Sequence, residues 1–359
     1  MMRTCLWSSL FVLASLQAVS AQNSTTTCNN SPSLCSRQYN NVTYLGAHDS
    51  PFLRNDETDF STSGNQFYNT TQQLASGMRM VTGQIQNPSN STALHMCHTS
   101  CDLLDAGTLE SWLSEIKTWM DANPNDVVTI LLVNGPGASA SDLASAYTSS
   151  GMSQYAYTPA STSATSTWPT LESLISNGTR AVNFVSTLDD NTGATYLMNE
   201  FDYMFENSYE NYNASDFSCD VNRPSNLANQ TSTAISSGYM SLVNHFLYEQ
   251  QAFGISSPNE AAITTTNAPS GGGSGNLGDH AQKCSAQYGK APTFLLVDFS
   301  NVGPAIDTAD TLNGVSNPTG RTSLPDTPLS ETSAATIALP QTTTLCLGLG
   351  TALLAMVFL

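Results

Sequence analysis

The sequence predicts a single α/β domain folded as a distorted TIM (β/α)8-type barrel, and three observations carry that prediction. Short apolar strands alternate with amphipathic helices, the pattern of a parallel sheet covered by crossover helices. About eight such strands can be counted, the number that builds this barrel. The chain has 359 residues, and about 310 lie between its two unusual ends, enough for one large domain. A doubly wound open sheet shares the alternation and stands as the alternative fold.

A first strand is expected over 42–47, a short helix over 66–76, a second strand over 79–85 and a brief third over 93–97. The helix expected over 108–121 places Leu109, Trp112, Leu113, Ile116, Trp119 and Met120 on one face, the i, i+3, i+4 spacing of a buried stripe. Pro124 follows it and cannot continue the hydrogen-bond ladder. The run VVTILLV, 127–133, is apolar almost throughout and rich in β-branched residues, as a strand covered on both faces should be. Further strands are expected over 180–185, 202–205, 239–243 and 292–298, and helices over 141–149, 170–176 and 277–288. Gly273, Gly275 and Gly278 satisfy GxGxxG but follow no strand, so they read as a loop before a helix rather than a cofactor site.

The ends read as processing signals. Residues 1–21 carry Arg3, an apolar run and Val19-Ser20-Ala21 just before Gln22, with small residues at −3 and −1, as a signal peptide does. Residues 22–41 are expected to form an N-terminal disulfide segment, 42–314 the barrel and 315–343 a Ser/Thr/Pro-rich linker. Residues 344–359 form an apolar tail downstream of Ser333, Ala334 and Ala335, the composition of a glycolipid (GPI) anchor signal. The expected location is therefore secreted and held at the outer face of the plasma membrane. Eight asparagines stand in glycosylation sequons: Asn23, Asn29, Asn41, Asn69, Asn90, Asn177, Asn213 and Asn229.

With Cys5 and Cys346 in the two signals, Cys28, Cys35, Cys97, Cys101, Cys219 and Cys284 remain. An even number in an oxidising compartment implies disulfides. The expected pairs are Cys28–Cys35, Cys97–Cys101 and Cys219–Cys284. Cys97 and Cys101 with His95 and His98 could also suggest zinc, but outside the cell a disulfide is the better reading. A net charge of −18 with only 10 Lys+Arg argues against a nucleic-acid partner, since such binding rests on cationic side chains. It also leaves little positive charge for holding a phosphate.

Residues at the C-terminal ends of barrel strands line the active-site mouth. His48 follows the first expected strand and His98 the third. Imidazoles there are suited to taking and giving protons near neutral pH. His245 reads as a core residue and His280 as a helix-surface residue.

The run LGAHDS, 45–50, resembles the first histidine motif of the phosphatidylinositol-specific phospholipase C X-domain family. Gly77 to Arg79, His98 and the run NPNDVV, 123–128, continue the same order, and CHTSC followed by LLDAGTL, 97–109, is similar to a secreted subgroup. The likeness implies a phosphoric diester hydrolase acting on a phosphodiester lipid, such as phosphatidylinositol or a glycosylinositol headgroup. It implies that His48 is the general base on the inositol 2-hydroxyl and His98 the general acid on the leaving glycerol oxygen. Asp49 and Asp298 match the carboxylates that orient an imidazole. Where the family's second strand supplies Asp-x-Arg or a calcium-binding Glu-x-Asp, this sequence has Thr82, Gly83 and Gln84. No metal or other cofactor is therefore expected. Thr82 and Gln84 become candidate substrate-binding residues, and Arg54 the cation expected to replace the missing arginine. A catalytically impaired barrel that binds a ligand or glycan at the cell surface is the alternative function.

Overall fold

The computed structural model describes residues 26–330, apart from 90, 252–253 and 272–274. The expected signal peptide at 1–21, the apolar tail at 344–359 and the sequons Asn23 and Asn90 lie outside the described residues.

The strands in chain order are β1 (Tyr44–Ala47), β2 (Met80–Gln86), β3 (His95–Cys97), β4 (Asp105–Thr108), β5 (Val128–Asn134), β6 (Ala181–Ser186), β7 (Leu197–Asn199), β8 (Met204–Glu206), β9 (Met240–Asn244), β10 (Tyr248–Gln250), β11 (Ser256–Pro258) and β12 (Phe294–Val297). The helices are α1 (Thr70–Ser76), α2 (Leu109–Ala122), α3 (Ala140–Ser149), α4 (Leu171–Ser176), α5 (Glu200–Tyr203), α6 (Thr231–Ser236), α7 (Ile263–Thr266), α8 (Leu277–Tyr288) and α9 (Ile306–Asn313). Eight strands pair in the order β7-β6-β5-β2-β1-β12-β9-β8, every neighbour parallel. This is the expected barrel with an open seam: the two end strands, β7 and β8, are joined along the chain by the single turn of α5, and among the described residues no ladder links them.

Side chains alternate between two cores, as the period of two in a strand requires. Tyr44, Phe294, Leu296 and Leu242 fill the barrel interior with Phe184 and Met204. Leu45, Leu295, Val297 and Val243 face outward onto Leu277, Ala281 and Ala309 of α8 and α9. On the other side Ile130 and Leu132 pack against Leu109, Leu113, Ile116 and Met120 of α2, the stripe read from the sequence. A buried aliphatic or aromatic side chain contributes roughly 1.5–3 kcal/mol, so these three layers dominate the fold.

Three expectations are corrected. The strand expected over 93–97 forms as β3, but it runs antiparallel to β2 and pairs with β4 as a side hairpin rather than a barrel stave. It fits because Gly83 has no side chain: a Cβ there would sit 2.5 Å from Met96 Cε. The helix expected over 66–76 begins at Thr70, capped by Asn69 with Gln72 reciprocating. Gln66 is spent elsewhere, donating to the carbonyls of His48 and Val297. The strand expected over 202–205 is split between α5 and β8.

The three expected disulfides form. Cys97 is thereby taken from the zinc reading, and His95 bonds Asp105 instead, with Nδ1 2.9 Å from Oδ2. Of the described sequons, Asn41, Asn69, Asn177, Asn213 and Asn229 are exposed, whereas Asn29 is buried and accepts from Val127 N at 2.7 Å. The expected linker at 315–343 is described to residue 330, and that part packs. Thr319 N donates to Asn30 O, Thr322 N to Ala75 O, Asn301 Nδ2 to Pro325 O, and Leu329 rests on the Phe67–Phe299 cluster.

Candidate active site

The C-terminal ends of β1, β2 and β12 meet at one rim of the barrel, and His48, Asp49, Thr82, Gln84 and Asp298 stand there. His48 Nδ1 lies 2.8 Å from Asp298 Oδ1, and Asn65 Nδ2 donates to the same oxygen at 2.9 Å. A carboxylate can only accept, so it fixes the proton on His48 Nδ1 and leaves Nε2 with its lone pair free. Phe246, just past β9, stacks on the imidazole at 4.0 Å with the planes 1° apart, holding the ring against rotation.

Asp49 links the two histidines. Its Oδ2 is 3.6 Å from His48 Nε2 and 3.4 Å from His98 Nε2, and it accepts from Gln84 Nε2 at 2.9 Å. Gln84 Oε1 accepts from Thr99 N, tying the turn after His98 to β2. Thr82 Oγ1 accepts from Asp49 N at 2.9 Å. The side chains of His48 and His98 are 13% and 14% exposed and that of Asp49 is 1% exposed, so the imidazoles reach solvent and their shared carboxylate does not. His98 packs on Phe52 at 5.2 Å, and its Nδ1 is buried without a hydrogen-bond partner among the described residues.

Electrostatics favours the charged form of His48. Burial alone would lower the His48 pKa, but the carboxylates of Asp49, Asp298 and Glu206 outweigh it and raise the pKa above 6.5. The backbone carries strain at the same places. Asp49, Thr99 and Phe299, each following His48, His98 or Asp298, have φ of 47°, 60° and 44°. Left-handed non-glycine residues cost about 1 kcal/mol or more each and concentrate where a site must be pre-shaped.

The structure thus brings together His48, His98, Asp49, Asp298, Thr82 and Gln84. It does not bring Arg54. That guanidinium is buried, donating to Ser61 O, Thr62 O and Glu260 Oε2 at 3.2, 2.6 and 3.0 Å, and lies over the Phe299 ring. Its place in sequence near His48 did not fix the direction of its side chain. Arg79 is likewise structural, bonded to Asp126, Asn30 and the carbonyls of Leu74 and Met78.

Sequence reasoning missed Asn65, Phe246 and a cluster at β8. Glu206, at the end of that strand, is buried and accepts from Arg223 and from Asn244 Nδ2. Burial and the neighbouring Glu206 raise the pKa of Glu200 well above its ordinary value. Arg223 keeps its side chain 40% exposed and lies over the Tyr209 ring at 4.4 Å. Strand-end placement could have flagged Glu206 and Asn244. Nothing in the sequence marks Arg223 or Asn65, which lie in loops without a period.

The chain matches the PI-PLC X domain family, described as PI-PLC X 1, over residues 34–313. It is 34% identical over 316 residues to the "PI-PLC X domain-containing protein 1" of Arthroderma benhamiae, covering 88% of this chain and 98% of that one. It is 35% identical over 280 residues to an "Uncharacterized secreted protein" of the same organism, covering 77% of this chain and 60% of the relative. Among solved structures, the phosphatidylinositol-specific phospholipase C from Listeria monocytogenes shares the fold with a TM-score of 0.51 at 13% identity, over 79% of this chain and 95% of that one. No described helix is long and apolar enough to cross a membrane.

Proposed function

The chain belongs to the PI-PLC X domain family, and on that premise we propose that it is a phosphoric diester hydrolase of phospholipase C type that cleaves a phosphodiester lipid at the barrel mouth. The observation that carries this reading is the single buried carboxylate, Asp49, set between two solvent-reaching imidazoles, one of them oriented by Asp298.

His48 Nε2 takes the proton of a headgroup hydroxyl, whose oxygen then bonds to phosphorus. The phosphorus–oxygen bond to glycerol breaks, and His98 gives its proton to the departing oxygen. Asp298 and Asp49 stabilise the imidazolium that forms on His48, the role its raised pKa supports. Thr82 and Gln84 are neutral, and each holds Asp49, so β2 offers neither a guanidinium nor a calcium-binding carboxylate pair. We therefore assign metal-independent chemistry. Arg223, anchored on Glu206 with its side chain partly exposed, is assigned the headgroup charge that Arg54 cannot meet. The substrate class fits a protein acting outside the cell beside a membrane, tethered by a glycolipid replacing the apolar tail.

The test is turnover of vesicles containing phosphatidylinositol, a glycosylinositol lipid or phosphatidylcholine, with and without EDTA. Release of a phosphorylated headgroup from an inositol lipid, unchanged by EDTA, is expected. Loss of turnover in EDTA overturns the metal-free assignment. Binding of the vesicles without cleavage of any lipid overturns the hydrolase reading and leaves a binding barrel.

A further inference from the structure

The two imidazoles at the mouth are held in place by different means. His48 is held through its ring, bonded to Asp298 at 2.8 Å and covered by Phe246. The ring of His98 has no such anchor among the described residues. Its Nδ1 is without a partner there, and its Nε2 stands 3.4 Å from Asp49 Oδ2, longer than the usual N–H···O range of about 2.7–3.2 Å. Phe52 stacks on it and leaves the in-plane direction open. His245 and His280 take no part: they are 0% and 4% exposed, buried against each other, so the helix-surface position expected for His280 is corrected.

The placement of His98 therefore comes from its backbone, and the sheet supplies little of it. The β2–β3 ladder pairs Ile85 with Met96 and Gln86 with His95 and stops there. The β3–β4 ladder shifts register between His95 and Cys97. Beyond them His98 N donates to Leu104 O at 3.0 Å, Thr99 N to Gln84 Oε1 at 3.0 Å and Gln86 Nε2 to Thr99 O at 3.2 Å. Thr99 is left-handed, a conformation that a β-branched residue keeps only where its surroundings impose it.

The Cys97–Cys101 disulfide closes this turn, with Cα atoms 4.8 Å apart and a sequence separation of 4. His98 is the first residue inside the closed loop. Cys97 is fully buried, so the bond ties the far end of the turn to a fixed point. Loop-closure entropy gives so short a cross-link less hold on the unfolded chain than Cys219–Cys284, which spans 65 residues. What the short bond governs is the local shape of the turn.

We propose that the Cys97–Cys101 disulfide is the positioning element of His98, fixing the backbone from which the imidazole meets the departing oxygen. What it serves rests on the general-acid role proposed above, while the hold on the ring is a property of the turn itself. A misplacement of about 1 Å at a reacting group costs on the order of 10²-fold. The loss falls on proton donation alone. Glycerol oxygen must be protonated as its bond to phosphorus breaks, whereas a weakly basic leaving group departs without a proton.

The test uses the full chain with Cys97→Ala and Cys101→Ala together. Cys101→Ala alone is made beside it, since it removes the same bond and keeps the buried Cys97 side chain should the double variant fail to fold. The first readout is the NMR signal of the His98 ring Cε1–H, assigned by its absence in His98→Ala. It should shift and relax as a mobile side chain in the variants, with the His48 signal in place. The second compares phosphatidylinositol vesicles with an inositol phosphodiester carrying 4-nitrophenol in place of the diacylglycerol. On the lipid kcat should fall by about 10–100-fold with KM within about twofold, and on the nitrophenyl ester the rate should change by less than about threefold. An unmoved His98 signal overturns the proposal, and so does an equal loss on both substrates. If the wild type cleaves neither substrate, the hydrolase reading falls, and the His98 signal alone decides whether the disulfide positions the ring.

Discussion

The two histidine pairs show how surroundings decide what one residue type does. At the mouth, His48 and His98 share the carboxylate of Asp49, and Asp298 backs one of them. In the interior, His245 and His280 see carbonyls and a phenyl ring. Carboxylates favour the imidazolium and raise the His48 pKa, whereas apolar burial favours the neutral ring and lowers both interior values. One pair sits where charge on the ring is favoured and solvent can reach it, the other where the neutral ring is favoured and solvent cannot.

The sharpest way to break this contrast is at the mouth. His48→Ala and His98→Ala should each lower kcat on the cleaved lipid by about 10²–10⁴-fold, with near-ultraviolet circular dichroism unchanged. Retention of full rate in either variant removes that imidazole from proton transfer. Asp298→Asn should cost on the order of 10²-fold, since it withdraws a charge that stabilises the imidazolium. It should also move the acid limb of the kcat/KM profile to lower pH, because Asp298 is one of the groups raising the His48 pKa. An acid limb that stays in place rejects the orienting role.

The interior pair is probed through stability. His280 has its pKa lowered from 6.5 to about 4, so between these values the unfolded chain binds the extra proton. Its contribution is therefore lost as pH falls through that window, by roughly 2–3 kcal/mol. His48 acts oppositely: its raised pKa contributes stability that is present below the unfolded value and lost as pH rises through the folded one. Denaturant titrations at pH 7 and pH 4.5 should show a smaller acid loss in His280→Gln than in the wild type. An equal loss places the acid sensitivity elsewhere. The smallest effect on rate is expected from Arg54→Ala, which removes a buried guanidinium bonded to Ser61, Thr62 and Glu260 and should cost about 3 kcal/mol of stability while changing kcat/KM by less than about threefold, a factor worth under 1 kcal/mol. A large rate loss there returns Arg54 to the site.

Much of this was legible in the sequence. Strands β1, β5, β6, β9 and β12 and helices α2 and α8 follow from uniform apolar runs and helical stripes long enough to show a period. The direction of β3 was not legible, because a three-residue strand has no pattern that separates a barrel stave from a hairpin. For the same reason β7 was missed. In the site, His48, Asp49 and Asp298 follow barrel strands, so placing the strands placed them, whereas His98 reaches the same rim from the end of the β3 hairpin, a route the stave reading did not contain. Arg54 failed because adjacency along a loop says nothing of which carbonyls its guanidinium will find. Asn65 and Phe246 were invisible because each acts only through a contact made in three dimensions.

The packed strap from 315 to 330 has a consequence for reach. Near its start Thr319 is bonded to Asn30, while Leu329 rests beside Phe67 and Phe299, one residue past Asp298. The chain therefore leaves the described body on the same side as the barrel mouth. Whatever is joined to the chain beyond residue 330 is thus joined beside the rim that carries His48 and Asp298, so the direction of the attachment and the direction of that rim are coupled.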